Sequence, residues 1–284
     1  MATTRRTLIA LLLGLLLVAA CGDSDDGDTE AAAGDGDGSS DCSTLEEGTL
    51  KIGTDSPAFP PWFVDDDPTN GEGFESAVAY AVAEELGYDA ESVEWTVVPF
   101  NNIFAPGDKD FDFAINQVSI TEERDEAVDF SDGYYDVNQA IVGFADSPAA
   151  SASSIEDLKS LKLGAQVGTT SLDFISETIA PDQEPFVYND NSAAKAALDA
   201  KQVDAIVLDL PTAFYVSAVE IEGTAVIGQF PSEGGGEQFG MVFEDGNPLR
   251  DCVNEALASL EESGRLDEIE QEWLSEVVDA PVIE

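Results

Sequence analysis

The sequence contains no histidine, and only 11 of its 284 residues are lysine or arginine. The absence of histidine excludes Ser-His-Asp and Cys-His nucleophile pairs and every zinc site that needs an imidazole ligand. The 59 acidic side chains give a formal net charge of −48, which repels the phosphate backbone of a nucleic acid. We therefore expect neither a conventional hydrolase nor a nucleic-acid-binding protein.

Apolar side chains, in contrast, are plentiful. Hydrophobic residues make up 43% of the chain and aromatic residues 8%, more than a disordered acidic chain contains. The length is enough for one or two domains with a hydrophobic core. The composition therefore predicts a folded, strongly anionic protein.

Residues 1–20 have the features of a secretory signal peptide. Arg5 and Arg6 precede an apolar run, Leu8–Val18, that is too short to span a bilayer. A short buried helix is the alternative for this run. The small residues before Cys21 resemble a bacterial lipobox, and that resemblance implies cleavage before Cys21 and lipidation of its thiol.

Residues 21–42 are predicted to form a lipidated, acidic, flexible tether. Residues 22–41, GDSDDGDTEAAAGDGDGSSD, include no apolar residue larger than alanine and cannot contribute to a core. Such a chain would hold a folded body away from a membrane. We expect the folded body to begin near Cys42.

Three cysteines in an exported protein leave one without a partner. Lipidation would consume Cys21, and an oxidising exterior favours a disulfide between Cys42 and Cys252. Cys252 lies on an apolar stripe of helical spacing between Leu249 and Leu260. A buried free thiol is therefore the alternative.

From Thr49 onward, short apolar runs alternate with helical patterns. This alternation predicts an α/β architecture with mostly parallel sheets flanked by helices, and about 240 body residues fit two lobes better than one. Two helices are expected at about 247–263 and 265–276. The glycine-rich segment Glu233–Glu237 is either a connection between lobes or a loop. The strand patterns are TLKIGT, VEWTVV, FDFAI, QAIVGF, LKLGAQ, PFVY, VDAIVLD and QFGMVF, and the earlier helix patterns are FESAVAYAVAEELG, TSLDFISETI and NSAAKAALDA.

Arg124 is the most informative candidate, because arginine is scarce here. It lies at the predicted start of a helix, where the helix dipole disfavours a cation, so its position suggests an anionic partner. A salt bridge with Glu122 or Glu123 is the alternative. Arg250 and Arg265 lie in glutamate-rich helix patterns, where a surface ion pair explains them.

Other candidates flank predicted strands. Gly168–Ser171 lies between a strand and a helix, where unpaired backbone N–H groups bind anions, although a threonine cap is an equal explanation. Asp209 ends the apolar strand Ala205–Leu208, at the edge where α/β sheets bind ligands, and would suit an ammonium group unless it only caps a helix. Phe59 and Phe100 would line a pocket or seal the edge of a core.

Five segments together resemble one family: GTDSPAFPPWF, GEGFESAVAYAVAEELG, FDFAINQVSITEERDEAVDFSDGYYD, LKLGAQVGTTSLDF and VDAIVLDLPTAFY. They are similar to the bacterial extracellular solute-binding proteins of the polar amino-acid type (family 3). The resemblance runs from about Thr49 to Trp273. Its most specific part is SIT-x-x-R with FS-D-x-Y-Y, in order with GTT.

The resemblance implies two lobes that close on a free amino acid around a hinge. Arg124 would then hold the α-carboxylate, helped by backbone N–H groups near Ser119 and Thr169–Thr170. Asp209 would hold the α-ammonium, with a carbonyl or side chain near Gln117.

By the same resemblance, Phe59 and Phe100 would enclose the ligand side chain. Many members have small residues where this chain has Asn116-Gln117, so these amides would influence which side chain is accepted.

The family also implies how the chain is divided and what it contacts. Lobe 1 would contain residues 43–137 plus 236–284, and lobe 2 residues 138–235, with crossings near Asp136–Asn138 and Gln229–Gly236. We expect an extracytoplasmic monomer, lipid-anchored to the cell membrane, that delivers its ligand to the permease of an ABC importer and needs no cofactor or metal.

Two other functions compete with this hypothesis. A dehydratase-like enzyme on the same fold would use a cleft carboxylate such as Glu75 or Asp55 for acid–base chemistry. A ligand-sensing module is the other alternative, although we expect no signalling segment after Glu284.

Overall fold

The computed structural model describes residues 42–230, 236–274 and 280–283. The predicted signal peptide, the lipidation site Cys21 and the tether up to residue 41 lie outside the described residues. No helix within the described part of the chain has the length and apolar character needed to cross a membrane.

The secondary structure follows the predicted order of strands and helices, with several short additions. The strands are β1 (Leu50–Thr54), β2 (Val93–Val97), β3 (Phe113–Ala114), β4 (Asp129–Phe130), β5 (Tyr135–Val137), β6 (Gln139–Phe144), β7 (Leu163–Gln166), β8 (Phe186–Tyr188), β9 (Ala205–Asp209), β10 (Thr224–Phe230), β11 (Glu237–Phe239) and β12 (Val242–Phe243). The helices are α1 (Phe74–Glu85), α2 (Phe100–Ile103), α3 (Glu122–Asp125), α4 (Ile155–Leu158), α5 (Thr170–Asp173), α6 (Asn191–Asp199), α7 (Leu210–Tyr215), α8 (Leu249–Ser263) and α9 (Arg265–Leu274). Two π-helical segments, Phe174–Ile179 and Val216–Glu220, continue α5 and α7.

These strands form two five-stranded sheets. The first has the order β2-β1-β3-β12-β4 and the second β10-β6-β9-β7-β8. In the second sheet, Ile141 of β6 packs in one hydrophobic cluster while Ala140 and Val142 pack in another. Because successive side chains of a strand point to opposite faces, this sheet is buried on both sides.

The prediction of mostly parallel sheets is wrong in detail, since both sheets are mixed. β1 pairs in parallel with β2 and β3, and β7 pairs in parallel with β8 and β9. The remaining pairs are antiparallel: β12 with β3 and β4, and β6 with β9 and β10. Helical crossovers produce the parallel pairs, whereas one strand in each sheet, β12 in the first and β6 in the second, runs opposite to all the others.

Helix α1 packs against the first sheet with the apolar face that the sequence predicts. Phe74, Val78 and Val82 are fully buried, as the apolar spacing predicts, and the buried Glu75 lies on the same helix. Gly73 precedes the helix with φ +99°, and a Cβ atom there would lie 2.4 Å from the carbonyl oxygen of Trp62. Only glycine allows the helix to start this close to the backbone of Trp62 and Phe63.

The chain passes between the two sheets at a short antiparallel pair. β5 leads directly into β6 of the second sheet, and β11 follows β10 after residues 231–235, which lie outside the described residues. Most of the glycine-rich segment therefore falls in this gap. The lobe boundaries stay a prediction, and the structure adds that the end of the chain reaches the second sheet: Val282 forms a parallel bridge with Gln229 of β10.

A disulfide joins Cys42 to Cys252, with the two Cα atoms 5.8 Å apart. Cys252 is buried on α8, on the stripe that the sequence predicts. The bond therefore ties the start of the folded body to a helix near its end, 210 residues later in the chain.

We expect the Cys42→Ser/Cys252→Ser double variant to lose about 2–4 kcal/mol of unfolding free energy, because the cross-link restricts the unfolded chain. Urea denaturation of the oxidised parent and the double variant measures this loss. A reductant should destabilise the parent and leave the variant unchanged. Two reactive thiols at these positions in the non-reduced parent would contradict the pairing.

Candidate functional site

The eight residues that the sequence predicts as ligand-binding all line one cavity, which is partly open to solvent. The structure brings them together from both sheets, although their separate roles in binding stay a prediction. They are Phe59, Phe100, Gln117, Ser119, Arg124, Thr169, Thr170 and Asp209.

Arg124 lies on α3, which begins at Glu122 with the Thr121 hydroxyl accepting a hydrogen bond from the Arg124 backbone N–H at 3.2 Å. The residue is buried, with 8% of its surface exposed. Nη1 donates to the carbonyl oxygen of Ser119 at 2.6 Å, and Nη2 donates to that of Gly168 at 3.0 Å. The guanidinium thus contacts backbone on both sides of the cavity.

The surroundings of Arg124 contrast with those of the other two arginines of the body. Arg250 pairs with Asp129 and Arg265 with Glu268, both at 3.2–3.3 Å. Within the described residues, Arg124 has no carboxylate at ion-pair distance, so the alternative of a local salt bridge is wrong. Burial lowers the pKa of Arg124, and the negative charge of Glu237 opposes this shift. Arginine stays protonated in proteins, so Arg124 carries a buried positive charge. Among the described residues, no carboxylate contacts this charge directly.

Gly168 permits the contact across the cavity. Its φ is +75°, and a Cβ atom would lie 2.2 Å from Oδ1 of Asn101, a residue of α2. Glycine therefore lets the segment before α5 approach the first sheet closely enough for its carbonyl oxygen to reach Arg124.

Asp209 is the last residue of β9, opposite Gln139 in the sheet. It occupies the N-cap position of α7, but its side chain caps no backbone N–H and instead accepts a hydrogen bond from Nε2 of Gln139 at 3.1 Å. Burial, with the charges of Glu237 and Glu75, raises the pKa of Asp209 to about 8. With this pKa the group is mostly a neutral acid at pH 7.

The hydroxyl groups at the cavity have two different tasks. The Thr169 hydroxyl accepts from the Leu172 backbone N–H at 3.2 Å, so the threonine cap that competes with anion binding does exist. The hydroxyls of Ser119 and Thr170 both donate to Oε1 of Glu237, at 2.5 and 2.6 Å.

Gln117 has a left-handed backbone, with φ +47°, which is unusual for a residue with a side chain. The buried Glu75 holds it there. Glu75 accepts hydrogen bonds from the Gln117 backbone N–H at 2.6 Å, from the Gln117 side-chain amide and from the Tyr134 hydroxyl. Burial raises the pKa of Glu75 to about 7, and these hydrogen bonds limit the shift. The Gln117 amide nitrogen is therefore already engaged by protein.

Phe59 and Phe100, the two aromatic residues predicted to enclose the ligand side chain, each contact a polar or charged group of the protein. The Lys195 ammonium lies 4.0 Å from the centroid of the Phe59 ring and pairs with Glu220 at 2.9 Å. The Phe100 backbone N–H, at the start of α2, donates to Oδ2 of Asp55 at 3.0 Å. Both rings line the cavity, so they do more than seal a core.

Sequence reasoning missed Glu237 and Gln139, which connect the cavity to the crossings between sheets. Gln139 donates to Asp209 and to Glu237, and accepts from the Ser171 hydroxyl at 2.6 Å. The available signal was position: Glu237 directly follows the glycine cluster, and Gln139 begins the strand after the first crossing. With 59 acidic residues in the chain, a single glutamate did not stand out.

Residues 50–276 match the family described as bacterial extracellular solute-binding proteins, family 3. The chain belongs to this family. The resemblance stated from the sequence is therefore confirmed, and so is the two-lobed α/β fold, which the solved structures below share.

Relatives of this solute-binding protein are named for amino acids. The L-cystine-binding protein TcyJ of Escherichia coli (strain K12) is 28% identical over 80% of this chain and 83% of its own. An ancestral arginine-binding protein, solved bound to glutamine, is 33% identical, with a TM-score of 0.69 over 81% of this chain and all of its own. The ancestral amino acid-binding protein AncCDT-1, a precursor of cyclohexadienyl dehydratase, is 30% identical, with a TM-score of 0.65 over 80% of this chain and 95% of its own.

The buried Glu75 generates a pH-dependent prediction about stability. Its pKa is about 7 in the folded protein against 4.5 in a free side chain, so the folded state retains a proton that the unfolded state loses. The stability contributed by this group is present below pH 4.5 and is lost as the pH rises through 7. The unfolding free energy of Glu75→Gln relative to that of the parent should therefore increase by about 2–3 kcal/mol as the pH rises from 4.5 to 8.

Urea denaturation of both proteins at several pH values measures this difference. Below pH 4 the carboxyl group is protonated in both states, so the difference should be constant there. A difference that does not change between pH 5 and 8 would show that Glu75 is not a buried acid of this kind.

Proposed function

We propose that this protein binds a free amino acid in the cavity between its lobes and delivers it to the permease of an ABC importer. The observation that carries the proposal is that one cavity holds both a buried cation and a carboxyl group whose ionisation is suppressed. Arg124 is buried without a carboxylate partner within the described residues, and Asp209 is held close to neutral by burial. A zwitterion supplies the anion that Arg124 lacks and the cation that would ionise Asp209.

The carboxylate end of the ligand is placed by the hydrogen-bonding capacity of Arg124. A guanidinium carries five N–H donors in a planar fork, and Ser119 and Gly168 occupy only part of it. The remaining donors suit a carboxylate bound in a charge-assisted, bidentate manner. Backbone N–H groups near Ser119 and Thr169–Thr170 would complete this end.

The ammonium end would lie at Asp209. A cation beside this carboxyl group favours its ionised form, so binding should draw the pKa of Asp209 down from about 8. Because the Gln117 amide nitrogen is engaged by Glu75, the oxygen of that amide or the Gln117 carbonyl would be the second acceptor.

The ligand side chain would lie between Phe59 and Phe100. Amide groups of Asn116, Gln166 and Asn191 also line the cavity, which supports a polar side chain. Relatives named for cystine, arginine and glutamine agree with a polar ligand.

The location follows from the family and from the N-terminal sequence. We propose that residues 1–20 direct export and that lipidated Cys21 anchors a monomer to the outer side of the cell membrane. Mass spectrometry of the membrane fraction tests this proposal, and an unmodified Cys21 would refute the anchor.

A dehydratase-like enzyme is the second candidate. Two observations favour it: Glu75 and Asp209 have pKa values near neutrality, as acid–base groups do, and AncCDT-1 is a precursor of a dehydratase. Formation of a new product from any bound ligand, detected by mass spectrometry, would favour the enzyme over the transport protein.

Calorimetric titration with the twenty amino acids tests binding, and Arg124→Ala tests the carboxylate site. The parent should bind at least one polar amino acid. Arg124→Ala should weaken that binding by about 2–5 kcal/mol, because a desolvated charge partner is lost.

Arg265→Ala is the matched control, since Arg265 lies in an exposed ion pair on α9 and should leave affinity unchanged. No binding across the panel and related amines or opines would refute the proposed function. Unchanged affinity in Arg124→Ala would refute the carboxylate site alone.

A further inference from the structure

Glu237 forms a hydrogen-bonded centre between the two sheets. It is half-buried at the start of β11, on the return crossing, and does not line the cavity. Oε1 accepts hydrogen bonds from the Ser119 and Thr170 hydroxyls, at 2.5 and 2.6 Å. Oε2 accepts from Nε2 of Gln139 at 2.9 Å.

Two of these four residues are attached to the first sheet. Ser119 forms an antiparallel bridge with Phe239, and the Gly240 backbone N–H donates to the carbonyl oxygen of Val118 at 3.0 Å. β11 then continues into β12 of the first sheet. Glu237 and Ser119 therefore move with the first lobe.

The other two residues are attached to the second sheet. Gln139 begins β6, which pairs with both β9 and β10. Thr170 begins α5, directly after the loop that follows β7. Opening of the cleft would draw Thr170 away from Glu237, whereas Gln139 lies next to the crossing, two residues after the Val137 that pairs with Glu237.

We propose that Glu237 is a positioning residue that stabilises the closed cleft by holding Thr170 across it, and that it thereby slows release of the ligand. This inference rests on the proposed binding of an amino acid. Hydrogen bonds to a charged acceptor are stronger than neutral ones, and leaving the carboxylate half-buried without donors is costly. The clasp, meaning Glu237 with Ser119, Thr170 and Gln139, thus favours closure.

Other contacts also cross the cleft, but each differs from the clasp. Arg124 donates to Gly168 from within the proposed ligand site. The Trp62 indole donates to the Thr212 hydroxyl at 2.8 Å as a single neutral bond. Neither contact involves a carboxylate, whereas the Glu237 carboxylate accepts hydrogen bonds from donors of both lobes at once.

The clasp also acts on the ammonium site through charge. Gln139 donates to both Glu237 and Asp209, so its amide separates two carboxyl groups. The charge of Glu237 helps to raise the pKa of Asp209. Removing Glu237 should therefore loosen closure but ease ionisation of Asp209, and affinity alone would mix the two effects.

Dissociation kinetics and a double-mutant cycle separate them. Full-length parent, Glu237→Ala, Thr170→Val and the double variant are compared by stopped-flow tryptophan fluorescence, using the amino acid that binds the parent most tightly. Thr170→Val breaks the bond across the cleft and leaves both carboxylates in place. Each single variant should raise the dissociation rate by about tenfold, with the association rate changed less than about twofold.

In the Glu237→Ala background, Thr170→Val should have a smaller further effect on dissociation, because the charged acceptor is gone and only the longer contacts of this hydroxyl to Ser119 and Gln139, at 3.3 and 3.4 Å, remain. Glu237→Gln keeps an acceptor oxygen for the two hydroxyls and should give an intermediate rate. Glu272→Ala, on the exposed side of α9, controls for the change in net charge. An unchanged dissociation rate in Glu237→Ala, or equal effects of Thr170→Val in both backgrounds, would overturn the clasp.

Failure of the proposed function is distinguishable from failure of the clasp. If the parent binds no amino acid, the binding proposal fails, and small-angle X-ray scattering of the ligand-free proteins tests the clasp alone. Glu237→Ala should then have a larger radius of gyration than the parent. Equal radii would overturn the clasp.

Discussion

A charge that is removed from water must find a partner, and the cleft of this protein is organised around that requirement. Glu75 is satisfied by hydrogen bonds from Gln117 and Tyr134, and Glu237 by the Ser119 and Thr170 hydroxyls. Two groups differ.

Within the described residues, Arg124 contacts carbonyl oxygens and the Phe104 ring but no carboxylate, and burial raises the pKa of Asp209 to about 8. Under the proposed function, a zwitterionic amino acid supplies an anion to Arg124 and a cation to Asp209. The large acidic surplus of the chain makes this assignment clearer, since a buried arginine without a carboxylate partner is unexpected where carboxylates are so common.

The fold places these groups by ending its elements at the cleft. Asp209 lies at the carboxyl end of β9, Arg124 on the short helix α3, and Gly168 in the loop after β7. The crossings between sheets add Gln139 and Glu237, so hydrogen bonds connect the cavity with these crossings. If the lobes close on a ligand as proposed, closure and binding share the same polar groups, and a change in one should alter the other.

Much of this arrangement could be predicted from the sequence. Apolar spacing located α1, α8 and most strands, because burial imposes periods of 3.6 and 2 residues. Scarcity of arginine identified Arg124, and position at a strand end identified Asp209.

The remainder depended on contacts between distant segments. Periodicity does not encode the direction in which a strand returns, so the mixed sheets were missed. The bonds of Glu75 to Gln117 and of Glu237 to Thr170 span 42 and 67 positions, and no local pattern marks them.

The most direct measurement is the number of protons released when the ligand binds. Calorimetry of the tightest-binding amino acid, in buffers of different ionisation enthalpy, gives this number. At pH 7 the ligand already carries its ammonium group, and Asp209, with a pKa of about 8, is mostly protonated. If the ammonium binds at Asp209, close to one proton should leave per ligand bound at pH 7, and the number should fall towards zero at pH 9. Binding at pH 7 without proton release would contradict this placement of the ligand.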